Sequence, residues 1–270
     1  MRRHANLIRQ TAAAEIGPGE SNHADGLPDG YADLSWSPPL PSLGAVRTRK
    51  HSTFCYLPAR RAIEINPVKS ITSEHSGSRS PFTSATPQFL QFLVNRKAQQ
   101  SFARDDDDAT TTERIETWFL HIERGLGRLL GDDDLQLEFD RKALTFFLSF
   151  GGQRRNLLEL AHGHAAAVGV IAEIIMRIET SDDTDGFADS GIVLIDEPEM
   201  HLHLELQERI LPALVKTFPH IQLIVATHSP VVVSSIEDAI VFDLEDRKPR
   251  HSEDLRGRPY GWIMKRHFGL

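Results

Sequence analysis

Gly191-Ile192-Val193-Leu194-Ile195-Asp196-Glu197-Pro198 is the stretch from which the rest of the chain is read. Four apolar residues, mostly β-branched, predict a strand buried on both faces, of the kind found inside parallel sheets. Two adjacent carboxylates emerge where that strand ends. In open α/β sheets ligands bind outside the carboxyl ends of the strands, so the pair stands where a site is expected. Asp196 is placed to hold a Mg²⁺ ion, directly or through water, and Glu197 to orient and deprotonate a water attacking a γ-phosphate. The plainer reading is a buried strand that ends in two solvated acids.

Outward from this octet the pattern is β-α-β-β. A helix is expected over about Glu205 to Thr217, a strand over Ile221 to Ala226 and another over Ala239 to Leu244, which suits a parallel sheet with right-handed crossovers. Upstream, Ile115, Trp118, Phe119, Ile122, Leu126, Leu129 and Leu130 recur at three- and four-residue steps and predict one apolar helix face, stopped by Gly131. Leu135 to Phe139 and Ala143 to Leu148 read as two strands around the turn Asp140-Arg141-Lys142. A long helix is expected from about Arg154 to Thr180, followed by an acidic loop, Ser181 to Ser190. Pro87 to Phe102 suits a helix and Asp105 to Asp108 an acidic linker. Residues 1–52 are rich in Gly, Pro, Ser and Ala without a sustained period and are expected to be disordered or poorly packed. The division that follows is 1–52, a remnant lobe with its linker at 53–111, and a structured lobe at 112–270.

Composition narrows the classes. The 270 residues are 40% hydrophobic and 25% charged, as in ordinary globular proteins, with a formal charge of −8 that disfavours a general grip on nucleic acid. Cys55 is the only cysteine, so no intrachain disulfide exists and a reducing compartment fits best. Arg2 and Arg3 are not followed by the apolar core of a secretory signal. The longest apolar-rich stretch, about Ala165 to Ile178, contains Glu173 and is too short for a bilayer. The expectation is a cytoplasmic protein without membrane partners.

Two further segments complete the candidate site. Leu148-Ser149-Phe150-Gly151-Gly152-Gln153 reads as a glycine-bearing turn between a strand and a helix. Its N–H groups and the Ser149 hydroxyl would suit an anion; a plain connecting turn is the alternative. Ile224-Val225-Ala226-Thr227-His228-Ser229-Pro230 is a second buried strand ending in a polar group, here an imidazole able to contact a phosphate or an attacking water. The pairs His162-x-His164 and His201-x-His203 each offer two ligands where zinc normally takes three or four, so no zinc site is expected.

Taken in order, these segments resemble the C-terminal half of an ABC-type ATPase head. Leu148 to Gln153 looks like the L-S-x-G-x-Q signature, Ile192 to Glu197 like the Walker B strand, and His228 like the switch histidine. Glu197-Pro198-Glu199-Met200-His201-Leu202-His203 is similar to the soluble AAA/ABC ATPases of the overcoming-lysogenization and anti-phage type. The tail from Gly257 to Leu270 is similar to the same branch. The resemblance covers about residues 112–270 and implies a P-loop NTPase-like fold, a parallel sheet with flanking helices whose N-terminal part is incomplete. It also implies ATP and Mg²⁺, with Asp196 on the metal, Glu197 as general base and His228 as γ-phosphate sensor. Ser149, Gly151, Gly152 and Gln153 would be the contacts made in trans across a homodimer or a partner head. An effector protein or a nucleic acid is a further partner in that family.

The chain departs from the pattern at Leu204, where relatives commonly place proline, and more deeply in lacking any G-x-x-x-x-G-K-[ST] segment. Lys69-Ser70 has no glycine between Gly44 and Gly77 to wrap a phosphate. The expectation is a truncated, mis-started or degenerate copy of an ATPase. Tyr56 to Arg61 would be the remnant of the segment after the P-loop. The alternatives are a non-catalytic module that docks on a complete partner head, and the motor part of an overcoming-lysogenization-type nuclease.

Overall fold

A computed structural model describes residues 5–8, 52–61, 63–72, 84–178, 187, 190–244 and 247–254, with backbone alone at 5–8, 52–53 and 254. In chain order the elements are strands β1 (Ala5–Ile8) and β2 (Ser52–Leu57), helices α1 (Phe89–Asp105) and α2 (Ala109–Leu130), then strands β3 (Gln136–Asp140), β4 (Thr145–Phe150) and β5 (Gln153–Asn156). Helix α3 (His162–Ile178), strand β6 (Ser190–Asp196), helix α4 (Leu204–Thr217) and strand β7 (Ile221–Thr227) follow. The short helix α5 (Pro230–Ser234) and strands β8 (Ile240–Asp243) and β9 (Lys248–His251) close the order.

The main sheet has the order β2-β6-β7-β1-β8-β9. Strands β2, β6 and β7 run parallel, with Leu57 opposite Ile195 and Asp196 opposite Ala226, so their carboxyl ends share one edge. Strand β1 lies antiparallel to both β7 and β8, and β9 antiparallel to β8, so the parallel core carries antiparallel additions. Ala5–Ile8 falls inside the segment expected to be unpacked; its strand comes from pairing on both sides, a tertiary effect that local composition does not carry. The other residues of 1–51, the acidic loop except Phe187 and Ser190, and the C-terminal motif 257–270 lie outside the described residues.

Helix α2 buries the expected stripe, and Gly131 ends it in the left-handed region at φ 76°, its N–H bonded to the Gly127 carbonyl at 2.7 Å. Asp108, from the expected acidic linker, caps the other end by accepting from Thr111 N–H. Helix α2 meets α4 closely at Gly125, where an added Cβ would stand 2.9 Å from the Thr217 side chain. Helix α3 is apolar nearly all round and correspondingly buried, lying against β2 and touching α1, α2 and α4. No helix among the described residues is long and apolar enough to cross a membrane.

The two expected strands at 135–148 are joined by a third where the helix from Arg154 was expected to begin, giving a second, antiparallel sheet, β3-β4-β5. Gly151 and Gly152 have φ of 56° and 68° and form the two-residue turn of the β4–β5 hairpin, the conformation that tight hairpins require. Residues Gln153–Asn156 return along β4. A 3₁₀ turn at Leu157–Glu159 follows, and α3 starts eight residues later than expected.

Candidate functional site at the carboxyl edge of the parallel strands

Strands β6 and β7 deliver the acids and the imidazole to the same edge. After Asp196 the chain leaves the sheet sharply: Glu197 takes a left-handed φ of 45° while its N–H still bonds Ala226 O at 2.8 Å. That conformation is unusual for a residue with a side chain and is held by its surroundings. Glu197 Oε1 lies 3.6 Å from His228 Nε2, with each side chain 27% exposed, so the two face one another at the rim rather than in the interior. Asp196 is half-buried one residue earlier on the same strand. Among the three acid and imidazole positions read from the sequence, the structure brings Glu197 and His228 into direct proximity, and Asp196 is the strand residue that precedes Glu197.

Two side chains that sequence reasoning assigned no role hold this edge together. Arg61, in the segment after β2, donates from Nη1 to Asp196 O at 2.9 Å and from Nη2 to Glu197 O at 3.3 Å and Pro198 O at 3.4 Å. Burial lowers its pKa, while Glu199, Asp196, Glu173 and Glu197 act in the opposite sense. Glu199 accepts from Thr227 Oγ1 at 2.7 Å, His228 N–H at 2.8 Å and Ser229 N–H at 3.1 Å. Neither follows a spacing rule, since Arg61 acts across more than 130 residues; only the position of Glu199 in the Glu-Pro-Glu run hinted at it.

Ser149, Gly151, Gly152 and Gln153 belong to the hairpin and not to a helix start. The Ser149 hydroxyl donates to Glu138, Gly151 N–H donates to Asp132 Oδ2 at 2.6 Å, and Gln153 Oε1 accepts from Arg155 Nη2 at 2.7 Å. The helix N-terminus expected at that place is instead that of α3, whose first turn contains His162, Gly163 and His164. Gly163 packs so closely that a Cβ would lie 3.1 Å from His203 Cδ2 and 3.3 Å from His201 O. The two histidine pairs thus meet, with His162 and His201 ring centroids 4.7 Å apart. Among the described residues no group of three or more His, Cys, Asp or Glu side chains is arranged to hold a metal ion.

Residues 43–234 match the family model described as "AAA domain, putative AbiEii toxin, Type IV TA system". The chain is 32% identical over 135 residues to the Retron Ec83 probable ATPase of Escherichia coli, covering 49% of this chain and 25% of that protein. It is 25% identical over 185 residues to the Septu protein PtuA of Bacillus mycoides, covering 66% of this chain and 24% of that one. The chain thus spans about a quarter of the length of these curated relatives. The solved SmcHead bound to the C-winged helix domain of ScpA superposes with a TM-score of 0.40 at 14% identity, over 62% of this chain and 58% of that one.

Proposed function

The chain belongs to the AAA-domain family just described, and we propose that it is an ATP-binding and ATP-hydrolysing head whose chemistry sits at the carboxyl edge of β6 and β7. The observation that carries this reading is the 3.6 Å approach of Glu197 Oε1 to His228 Nε2 from neighbouring parallel strands. Glu197 is the general base that orients and deprotonates a water for in-line attack on the γ-phosphate, and His228 contacts that phosphate or the water. Asp196 would hold a magnesium ion: its half-buried carboxylate ends β6, and that ion is commonly bound through one or two protein carboxylates. When bound, the ion neutralises charge that develops on the phosphate oxygens.

Ser149, Gly151, Gly152 and Gln153 remain candidates for the contact in trans. The start of α3 at His162 is a helix N-terminus, which the hairpin lacks, and N–H groups of a first helical turn suit an anion. The second head is a further copy of this chain or a partner ATPase, with an effector protein or nucleic acid downstream, and the place of action is the cytoplasm.

One observation favours a second reading, a module that joins a complete partner head: no G-x-x-x-x-G-K-[ST] occurs in the sequence. A fluorescent ATP analogue titrated into the chain, followed by hydrolysis assays on wild type and Glu197→Gln, separates the two. The ATPase reading expects measurable binding in both proteins and at least about a hundredfold loss of turnover in Glu197→Gln. Wild-type-like hydrolysis by that variant would refute the base assignment, and millimolar or absent nucleotide binding favours the module.

A further inference from the structure

Glu199 stands two residues beyond Glu197, in the turn that leaves β6, yet its hydrogen bonds are made to the end of β7. One carboxylate gathers three donors from three consecutive residues: the Thr227 hydroxyl on Oε2, and the His228 and Ser229 N–H groups on Oε1. Thr227 Oγ1 also accepts from Ser229 N–H at 3.0 Å, which closes the loop on itself. Ser229 in turn donates to Gln207 Oε1 at 2.7 Å, and Gln207 Nε2 donates to Leu202 O at 3.0 Å. The loop bearing His228 is therefore anchored twice to the segment 199–207. That segment's root is fixed from the stretch after β2 by Arg61 on the carbonyls of Asp196, Glu197 and Pro198.

We propose that Glu199 is a positioning residue, which sets the His228 imidazole against the Glu197 carboxylate and makes displacement of one loop a displacement of the other. The inference rests on the pairing of Glu197 with His228 given above. Chemistry explains the residue type. Two methylenes are needed to span from the β6 turn to the β7 end, and two acceptor oxygens to serve three donors. A glutamine keeps one oxygen for the two N–H groups and turns its amide toward Thr227 Oγ1, which can accept it, so most of the geometry survives. An alanine leaves the Thr227 hydroxyl and the His228 N–H unserved and Ser229 N–H with Thr227 Oγ1 alone.

The test follows the His228 Cε1–H resonance in full-length protein carrying ¹³C-labelled histidine, with assignment by His228→Gln. Glu197→Gln is expected to displace that resonance in the wild-type background and in Glu199→Gln, and to leave it in place in Glu199→Ala. Far-UV circular dichroism and thermal melting check that each variant is folded. Should Glu199→Ala fail to fold, Thr227→Val removes one of the three contacts and is expected to reduce the displacement. An undiminished displacement in Glu199→Ala, or in Thr227→Val where that variant stands in, overturns the positioning role. No displacement in the wild-type background overturns the Glu197–His228 pairing itself, and the two failures are thereby distinct. None of these readouts requires hydrolysis.

Discussion

Replacing Glu173 by alanine should cost about 3–5 kcal/mol, the range for breaking a buried ion pair by removing one partner. The Glu173 and Arg177 side chains are 4% and 6% exposed and lie 3.3 Å apart one helical turn along α3. Glu173 Oε1 also accepts from the Ser84 hydroxyl, from Ala85 N–H at 2.5 Å, and from Thr86 N–H and Oγ1 at 2.9 and 3.0 Å, which fastens the chain entering α1 to α3. Adding a full desolvation penalty of about 1–3 kcal/mol for each lost acceptor bond would overcount. A cavity of about 80 Å³ next to the pair, lined in part by Arg60 and Arg61, gives water room to enter and serve some of those donors. At roughly 2–4 °C per kcal/mol for a domain of this size, the melting temperature should fall by about 6–20 °C. Glu173→Gln keeps an acceptor for the N–H groups but loses the charge facing Arg177, and should fall between alanine and wild type. Urea unfolding of the three proteins, with amide hydrogen exchange at Ala85 and Thr86, checks the assignment. A cost below about 1 kcal/mol for Glu173→Ala, with exchange at those two amides unchanged, would refute the reasoning.

Two further expectations follow from local electrostatics. Cys55 is fully buried, and burial pushes its thiol up to about 12, with the Arg177 cation opposing and Glu173 reinforcing the shift. At pH 8 the thiolate is then a fraction on the order of 10⁻⁴. A thiol-reactive chromophore should leave Cys55 unmodified in the folded protein and titrate one thiol in denaturant; rapid labelling of native protein would contradict this. For His164, burial first, then the Arg155 cation and then His203 lower the imidazole below its usual range. The folded state therefore binds fewer protons there than the unfolded chain, so stability contributed by neutral His164 is present above about pH 6.5 and is lost as pH falls toward the lowered folded value. Unfolding free energies between pH 7.5 and 5 should show a shallower decline in His164→Gln than in wild type, and an equal decline would remove His164 from the account.

What the sequence discloses about this fold is what burial writes into local patterns. The β6 run ends in two acids and the β7 run in Thr-His-Ser because apolar strands must stop being apolar where they reach the sheet edge, so both halves of the candidate site could be read locally. The α2 stripe and its Gly131 stop were legible for the same reason. Residues 153–156, Gln-Arg-Arg-Asn, carry no apolar alternation, and their strand is sustained by partners on β3 and β4: Arg154 Nε meets Glu138 Oε2 at 2.7 Å, and its guanidinium lies 3.4 Å from the centre of the Phe147 ring. Leu157, Leu158 and Leu160 run on toward α3, so apolar residues do not mark where the hairpin ends and the helix begins. The signal that could have corrected it was Gly151-Gly152, a hairpin turn when both glycines need positive φ. Arg61 and Glu199 were beyond local reading altogether. Each acts on backbone groups of another strand's end, and a carbonyl or an N–H carries no residue-specific mark in the sequence. The side chains that make the reactive pair are therefore visible in one dimension, while those that aim it become visible only once β2, β6 and β7 stand side by side.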